Sequence, residues 1–306
     1  MCEVDNCIHC GICKEHCLFL KKYDIDLYEF SNQPKLAYSC FMCGICKKVC
    51  PKNIDGVQIA QNMRKNSNLD TSKYKGLLWE KNPYKFANYT KINSKKNISK
   101  TDRLVKNKKS VLFPGCNFSA FFPKTLKKLE DICFQNEIGV VYDCCSKPIF
   151  ELGLQEDAQK NIDSMISKLK KNNVEELIMI CPNCYYFLKD KIDISVISIY
   201  EKLYELNETE KYELNEVRKV KGTKNKSMDE IAFYIPCPDR EERVFINDIS
   251  KFIEKTIVYP YEKTQCCGLG GCALANEPEI ATKMAKSVNI KKESVEDIEI
   301  DKLHNV

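Results

Sequence analysis

Cys144–Pro148, with the sequence CCSKP, is the stretch that determines how this chain is interpreted. Cys116 precedes it, and Cys181–Cys184, with the sequence CPNC, follows it. Two adjacent cysteines cannot both face one small metal ion without distorting the backbone, whereas an open iron–sulfur cluster accepts neighbouring thiolates on different irons. A zinc ion would take four ligands in a tetrahedron and leave one of these five cysteines unused. The pattern therefore favours an iron–sulfur cluster over zinc or a disulfide.

Two more cysteine groups occupy residues 1–51, and both have the spacing Cys-x-x-Cys-x-x-Cys-x-x-x-Cys. In bacterial two-cluster ferredoxins, the first three cysteines of such a run bind one cubane and the fourth binds the other. Two separate zinc ribbons, the alternative, would require no such exchange of ligands. The sequence therefore predicts two [4Fe-4S] cubanes, the first held by Cys7, Cys10, Cys13 and Cys50 and the second by Cys40, Cys43, Cys46 and Cys17.

Glycines and histidines accompany these two groups. Gly11 and Gly44 follow the second cysteine of each group, where a residue without Cβ allows the backbone to wrap around a cluster. His9 and His16 could donate hydrogen bonds to a cluster, but exposed loop positions are favoured because cysteine alone fills the ligand sets. Cys2 is interpreted as a free thiol.

The composition is that of a globular protein with room for two or three domains, since the chain has 306 residues and 43% of them are hydrophobic. Its nineteen cysteines lie in short, clustered spacings typical of metal ligands rather than of secreted disulfide scaffolds, which indicates a reducing compartment. The N-terminal residues do not show the pattern of a secretory signal, in which a charged segment precedes an apolar one. No apolar run reaches the roughly eighteen residues that would span a bilayer. A cytoplasmic protein without a transmembrane segment is predicted.

Residues 52–110 form a basic stretch, with fifteen Lys or Arg against four Asp or Glu. A short amphipathic helix is predicted near its start, from Ile54 to Lys65. No nucleic-acid recognition motif accompanies the charge, so no nucleic-acid partner is predicted. A solvated connector over residues 67–109 is favoured. Docking of this stretch to an acidic partner or to an anionic membrane surface is the alternative.

After the basic stretch, short apolar runs alternate with amphipathic helical patterns. Strands are predicted at 111–113, 139–142 and 177–180, and each leads into one of the cysteine groups quoted first. A helix is predicted at 158–169, and an earlier helix carries Cys133 in its apolar stripe, which makes that cysteine a core residue rather than a ligand. This alternation predicts an α/β unit with a mostly parallel sheet, in which ligands bind at the carboxyl ends of the strands.

The unit then repeats. Cys237 follows a further strand, predicted at 231–235, and Cys266 and Cys267 restate the cysteine pair, this time in the sequence CCG. Cys116 lies 28 positions before Cys144, and Cys237 lies 29 positions before Cys266. A match this close indicates an internal duplication.

The last element of the unit has no counterpart in the second copy. Cys181 lies 36 positions after Cys145, the second cysteine of the first pair. The residue 36 positions after Cys267, the second cysteine of the later pair, is Leu303 and not a cysteine. Residues 298–306 resemble the strand that would lead to the missing cysteines, so the expectation is a second repeat that ends early. Cys272 is within reach of the second site as an additional ligand, and a free thiol is the alternative.

These motifs together resemble a known family. FPGC (113–116), CCSKP and CPNC resemble the first half of the cysteine-rich "CCG" domain, which occurs in the catalytic subunits of heterodisulfide reductases and in the iron–sulfur subunits of anaerobic glycerol-3-phosphate, lactate and glycolate dehydrogenases. In heterodisulfide reductases the five cysteines hold a non-cubane [4Fe-4S] cluster at which the disulfide is split. Ser146 departs from the family pattern, which has Gly there. The resemblance implies the same ligand and catalytic roles for Cys116, Cys144, Cys145, Cys181 and Cys184.

The expected organisation is an α/β chain in which a two-cluster ferredoxin-like domain of the α-helical type precedes a duplicated CCG domain. This order resembles fused heterodisulfide-reductase-like subunits and the iron–sulfur subunit of anaerobic glycerol-3-phosphate dehydrogenase over essentially the whole chain. Cys237, Cys266 and Cys267 are the ligands available to a second CCG-site cluster. The predicted divisions are the ferredoxin domain at 1–66, the connector at 67–109, the first CCG domain at 110–225 and the incomplete second CCG domain at 226–306.

The leading functional hypothesis is an oxidoreductase subunit that passes electrons through the cubanes to the five-cysteine cluster, in disulfide reduction or in an electron-bifurcating complex. The alternative is an electron conduit for a flavin dehydrogenase that oxidises glycerol 3-phosphate, lactate or glycolate. A structural metal protein is a third hypothesis. No dinucleotide fingerprint, phosphate-binding loop or Ser/His triad is present. Under the two redox hypotheses a flavoprotein or another redox protein is the predicted partner, and any membrane association would come through it.

Overall fold

The computed structural model describes residues 3–67, 105–208, 230–253, 256–259, 266–270 and 273–288. Four sequence predictions fall outside the described residues: the free thiol at Cys2, the additional ligand Cys272, most of the basic connector and the strand at 298–306. Across the ranges given above, no helix is both long and apolar enough to cross a membrane.

The N-terminal region, residues 3–67, consists of short helices without a strand. Gly11 and Gly44 stand just before the first and fourth helices with φ angles of 74° and 73°, and nothing lies within 4 Å of the position that a Cβ would take. Glycine is therefore favoured here by the left-handed backbone and not by a close neighbour. The helices are α1 (Ile12–His16), α2 (Leu18–Tyr23), α3 (Leu27–Ser31), α4 (Ile45–Val49) and α5 (Gly56–Lys65), with 3₁₀ segments at Glu3–Asn6 and Pro34–Ser39.

The helix predicted from Ile54 begins two residues later. Asp55 is its N-cap, since the Oδ1 atom of Asp55 accepts hydrogen bonds from the amides of Val57 at 2.8 Å and Gln58 at 3.2 Å. Ile54 is 2% exposed and packs in the core from the preceding turn. The apolar pattern located the buried residue correctly, but the capping carboxylate fixes the start of the helix.

Residues 105–208, called the first CCG half from here on, contain a four-stranded, fully parallel sheet, which confirms the predicted α/β class. The strand order is β2-β1-β3-β4, and β1 pairs with β3 from Ser110 opposite Glu176 to Phe113 opposite Met179. The strands are β1 (Ser110–Phe113), β2 (Gly139–Val140), β3 (Glu176–Met179) and β4 (Ser195–Ser198). The helices are α6 (Gly115–Phe121), α7 (Pro123–Gln135), α8 (Lys147–Glu151), α9 (Gln155–Lys171), α10 (Pro182–Leu188) and α11 (Ile199–Glu208).

Helices cover both faces of this sheet. Alternate residues of each strand point to opposite faces, so Val111 and Phe113 pack with α9 and α10 while Leu112 packs with α7. Cys133 is 3% exposed within the α7 layer, which confirms it as a core residue. The strand predicted at 139–142 is shorter, because only Gly139 and Val140 pair with β1 before the chain turns toward the cysteine pair.

The described residues between 230 and 288, called the second CCG half from here on, repeat the start of this arrangement. Strands β5 (Glu230–Ala232) and β6 (Thr256–Val258) pair in parallel, with helix α12 (Val244–Ser250) between them in sequence. The strand predicted to continue to residue 235 ends earlier, as the chain leaves the sheet before Pro236 and enters a 3₁₀ turn at Cys237–Asp239. Helices α13 (Ala273–Asn276) and α14 (Pro278–Val288) follow.

The N-terminal region packs against both CCG halves. On the first half, the Tyr38 hydroxyl donates to the Leu152 carbonyl at 3.0 Å, and a Cβ on Gly153 would lie 2.5 Å from the Arg64 carbonyl oxygen. On the second half, buried Glu277 accepts hydrogen bonds from Lys22 Nζ at 2.6 Å and the Tyr23 hydroxyl at 2.7 Å. The hydrophobic core of the N-terminal region is continuous with that of α13 and α14.

Candidate iron–sulfur centres

Three neighbouring strands bring the cysteines of the first CCG half together. Cys116 follows the central strand β1, Cys144 and Cys145 follow β2 on one side, and Cys181 and Cys184 follow β3 on the other. Because the strands are parallel, their carboxyl ends lie at one edge of the sheet. Residues almost seventy positions apart in sequence therefore meet at a single site.

These five thiols form one connected set. The Cys144 thiol interacts with those of Cys116 and Cys145, and the Cys184 thiol interacts with those of Cys145 and Cys181. Hydrogen bonding within the set and burial raise the pKa of Cys116, Cys145 and Cys184, while hydrogen bonding with Cys184 lowers the pKa of Cys181 to about 7. A buried group of thiolates would repel one another unless a cationic centre held them. The donor set of five sulfur atoms therefore fits an iron–sulfur cluster.

The turn around the cysteine pair keeps the backbone close to these sulfurs. Ser146 adopts a φ of 65°, and its amide donates to Cys144 Sγ at 3.2 Å. Gly115 has a φ of 72°, and a Cβ there would lie 3.0 Å from Cys184 Sγ. Serine therefore takes the left-handed conformation that favours glycine, and Gly115 leaves room for the thiols.

A half-buried lysine adds positive charge at this edge of the sheet. Lys147, immediately after Ser146, forms an ion pair with Glu151 and interacts electrostatically with Cys145 and Cys181. Burial disfavours the ammonium, but the attraction of Glu151 outweighs it and raises the pKa of Lys147. Lys147 is therefore charged at neutral pH and favours thiolate at the neighbouring cysteines.

The second CCG half assembles a smaller set. Cys266 is 1% exposed, and its thiol interacts with those of Cys237, Cys267 and Cys43, the last of which belongs to the N-terminal region. Hydrogen bonding with Cys266 lowers the pKa of Cys267 to about 6. The amide of Gly268 donates to Cys266 Sγ at 3.4 Å. The second site thus borders directly on the N-terminal cysteines.

One pocket of the N-terminal region is lined by the thiol-bearing residues Cys7, Cys10, Cys13 and Cys50. Cys50 comes from the second cysteine group and the other three from the first, as the crossed assignment expects. Asp26 also lines this pocket, and its Oδ2 atom lies 2.6 Å from Nδ1 of His9. His9 is exposed as predicted, but it makes this defined contact. His16 is exposed too, although it ends α1 rather than lying in a loop.

Cys17 lies instead with Cys40, Cys43 and Cys46, and these four thiols interact electrostatically. Burial raises the pKa of Cys17 to about 12 and that of Cys40 to about 11. Without a metal these thiols would hold their protons at neutral pH. A Cβ on Gly56 would lie 2.6 Å from Cys46 Sγ, so glycine at the start of α5 makes room for this set. Binding of iron by either N-terminal set stays a prediction.

Comparison with known proteins agrees with the cysteine chemistry. The model of the CCG "Cysteine-rich domain" family matches residues 110–189 and again 231–301. The chain carries two copies of this cysteine-rich domain, and its cysteines indicate an iron–sulfur protein with a redox role.

One curated relative is an uncharacterized iron–sulfur protein of Methanocaldococcus jannaschii, which is 25% identical over 294 residues. The alignment covers 87% of this chain and 55% of the relative, so the chain spans about half of that protein's length. No solved structure matches the chain.

Sequence reasoning did not anticipate three features of these sites. The contact between Cys43 and Cys266 joins residues more than two hundred positions apart, and no spacing rule signals it. The paired charge of Lys147 lies inside the cysteine motif, where ligand spacing gives no signal for a lysine. Arg64 occupies the polar edge of a predicted amphipathic helix, yet it is 2% exposed.

Proposed function

We propose that this chain is the iron–sulfur subunit of a heterodisulfide-reductase-type enzyme, which takes electrons from a flavoprotein partner and delivers them to a disulfide. The proposal assigns two [4Fe-4S] cubanes to the N-terminal cysteines and a non-cubane [4Fe-4S] cluster to the first CCG half. The connected set of five thiols at the carboxyl edge of a parallel sheet, with Cys144, Cys145 and Cys184 buried, is the observation that carries it.

The residues around the five thiols support reductive chemistry on sulfur. Iron–sulfur clusters held by thiolates supply one-electron transfer when bound. Lys147 places an ammonium beside Cys145 and Cys181, so negative charge at this site is stabilised during reduction. The overall reaction consumes two electrons and two protons for each disulfide, breaks one sulfur–sulfur bond and releases two thiols.

The contact between Cys43 and Cys266 favours a second candidate function. A cysteine of the N-terminal region touches the second CCG site, so the described residues form a continuous path of thiols between the two regions. Such a path suits a subunit that only conducts electrons for a flavin dehydrogenase, whose substrate would bind to another chain. In that case the five-thiol site relays electrons and accepts no disulfide.

An assay with the isolated, iron-loaded chain separates these two candidates. Reduced viologen supplies electrons, and its oxidation is followed after addition of a small organic disulfide, with released thiol measured in parallel. Disulfide-dependent oxidation with two thiols per disulfide is expected, and Cys145→Ser should abolish it. Cys133→Ala removes a buried cysteine outside the sites and should retain activity. Full cluster content with no disulfide turnover would overturn the reductase and leave the conduit.

A further inference from the structure

Arg64 is a fully buried arginine at the junction between the N-terminal region and the first CCG half. Its side chain is 2% exposed near the end of α5. Nε and Nη2 donate to the Ala37 carbonyl at 3.0 and 2.9 Å, Nη2 also donates to the Cys40 carbonyl at 3.1 Å, and Nη1 donates to the Glu151 carbonyl at 2.8 Å. The guanidinium also lies 5.0 Å from the centre of the Tyr38 ring.

All of these partners are electrically neutral. Within the described residues, the hydrogen bonds of Arg64 go to backbone carbonyls and no carboxylate forms an ion pair with it. A buried cation without a nearby anion is strongly unfavourable, even when its hydrogen bonds are satisfied. The fold therefore requires negative charge close to Arg64.

The cysteines beside Arg64 are the source of that charge. Cys40 shares its carbonyl with Arg64, and Arg64 interacts electrostatically with the Cys40 thiol. Metal binding holds a cysteine as thiolate, so a cluster bound through Cys40 would place negative charge close to the guanidinium. Four thiolates around an iron–sulfur cubane carry a net negative charge, which increases on reduction.

The other N-terminal site has the opposite environment. Asp26 lines the pocket of Cys7, Cys10, Cys13 and Cys50, and its side chain is 9% exposed. The Asp26 carboxylate caps α3 by accepting from the Glu29 amide at 2.9 Å, and it also contacts His9. The Cys40 site thus faces a buried cation, since the carboxylate that also acts on Cys40, Asp55, is paired with Lys47 Nζ at 3.2 Å. The Cys7 site faces a carboxylate, although the two cysteine groups have the same spacing.

We propose that Arg64 is the buried counter-charge of the cluster held by Cys17, Cys40, Cys43 and Cys46, and that it raises the reduction potential of this cluster above that of its neighbour. The inference rests on the cubanes of the proposed function. A cation beside a cluster favours the reduced form and a carboxylate disfavours it. Electrons are therefore driven toward the site that borders Cys266 and the first CCG half.

The test is a redox titration of the iron-loaded full chain, with both cubanes followed by EPR and iron measured in every sample. Arg64→Gln should lower the ratio of reduced to oxidised cluster at Cys40 about tenfold at a given solution potential. For a one-electron couple this corresponds to a reduction potential lower by about 59 mV. Arg64→Lys keeps the charge and should restore the wild-type potential. Lys65→Gln removes an exposed charge from the same helix and should leave both potentials unchanged.

A matched change at the other site completes the experiment. Asp26→Asn retains a capping side chain but removes the carboxylate charge, so it should raise the potential of the cluster at Cys7. An unchanged potential in Arg64→Gln with full iron content would overturn the inference and leave the proposed function intact. Loss of four irons in Arg64→Gln but not in Arg64→Lys would support the inference. Loss of four irons in both variants would show that the shape of the arginine side chain matters rather than its charge, and would overturn the inference. Absence of cubanes from the wild-type chain would overturn both proposals.

Discussion

The two CCG halves contain the same turn, but it contributes to two different kinds of cysteine site. In each half an amide two residues beyond the first cysteine of the pair donates to its sulfur, Ser146 to Cys144 at 3.2 Å and Gly268 to Cys266 at 3.4 Å. The first half completes its set with Cys181 and Cys184 from its own next strand, whereas the thiols described in the second half meet Cys43 of the N-terminal region. Duplication has therefore produced one self-contained site and one site at an interface between regions.

The turn residue itself shows how the surroundings differ. Ser146 and Gly268 both have positive φ angles, 65° and 82°. Ser146 fits a fully buried position in the first half, whereas a Cβ on Gly268 would lie 2.5 Å from the Ala281 carbonyl oxygen of α14. The same backbone conformation thus tolerates a side chain in one half and excludes it in the other.

The largest expected difference between the halves is in cluster content. Cys145→Ser removes a thiol from the middle of the five-thiol set, so we expect loss of one complete cluster. The equivalent Cys267→Ser change should leave the iron content unchanged, because the second half lacks a complete set of its own among the described residues. Iron analysis and EPR of the two variants measure this. Equal loss of iron in both variants would show that the halves are functionally alike.

Exchange of the turn residues should be strongly asymmetric in stability. Gly268→Ser should cost ~3 kcal/mol of unfolding free energy, because the new Cβ would overlap backbone of α14 and take a left-handed φ. Ser146→Gly relieves the left-handed strain and removes a buried hydroxyl that has no hydrogen-bond partner among the described residues. We expect its stability to stay within ~1 kcal/mol of wild type. Chemical denaturation reports both values, and similar costs would refute the asymmetry.

Two glycines distinguish how the halves dock on the N-terminal region. A Cβ on Gly153 would lie 2.5 Å from the Arg64 carbonyl oxygen, and one on Gly270 would lie 2.1 Å from that of Phe41. Each change to Ala should therefore cost ~2 kcal/mol and loosen only its own half. Hydrogen exchange should increase around 150–154 in Gly153→Ala and around 266–270 in Gly270→Ala. Increases in both places in either variant would mean that the halves dock as one unit.

The smallest expected effect concerns the ion pair that anchors the second half. Burial works against the charged form of Glu277, but hydrogen bonds from Lys22 and Tyr23 lower its pKa. Its stabilisation is therefore complete above the unfolded pKa of about 4.3 and is lost only as the pH falls through the lower folded value. Glu277→Gln should cost ~1 kcal/mol equally at pH 6 and pH 8. The exposed Glu279→Gln serves as the control, and a cost that changes between these two pH values would contradict the assignment.

Much of the first half could be predicted from its sequence, because apolar runs that end at cysteines specify buried parallel strands. The burial of Cys133 followed from its position in a helical stripe. The bounds of β2 and β5 could not be predicted, since they depend on where the chain must leave the sheet to place a cysteine.

The interfaces between regions were beyond sequence reasoning. Periodicity and spacing act over one turn or one strand, whereas the contacts of Arg64 with Glu151 and of Cys43 with Cys266 depend on how complete regions pack. Arg64 illustrates the physical reason. A charged residue in a basic stretch is normally solvated, and only the packed structure shows that this one is enclosed by carbonyl groups.

Iron stoichiometry combined with native-state alkylation tests the central claim most directly. With two cubanes and one five-thiolate cluster, the chain should bind about twelve irons, four for each cluster. The half-buried thiols of Cys237 and Cys267 should then be labelled by an alkylating reagent, while Cys145 and Cys184 stay protected. About sixteen irons, with Cys237 and Cys267 protected, would show that the second half holds a complete cluster and would contradict the account.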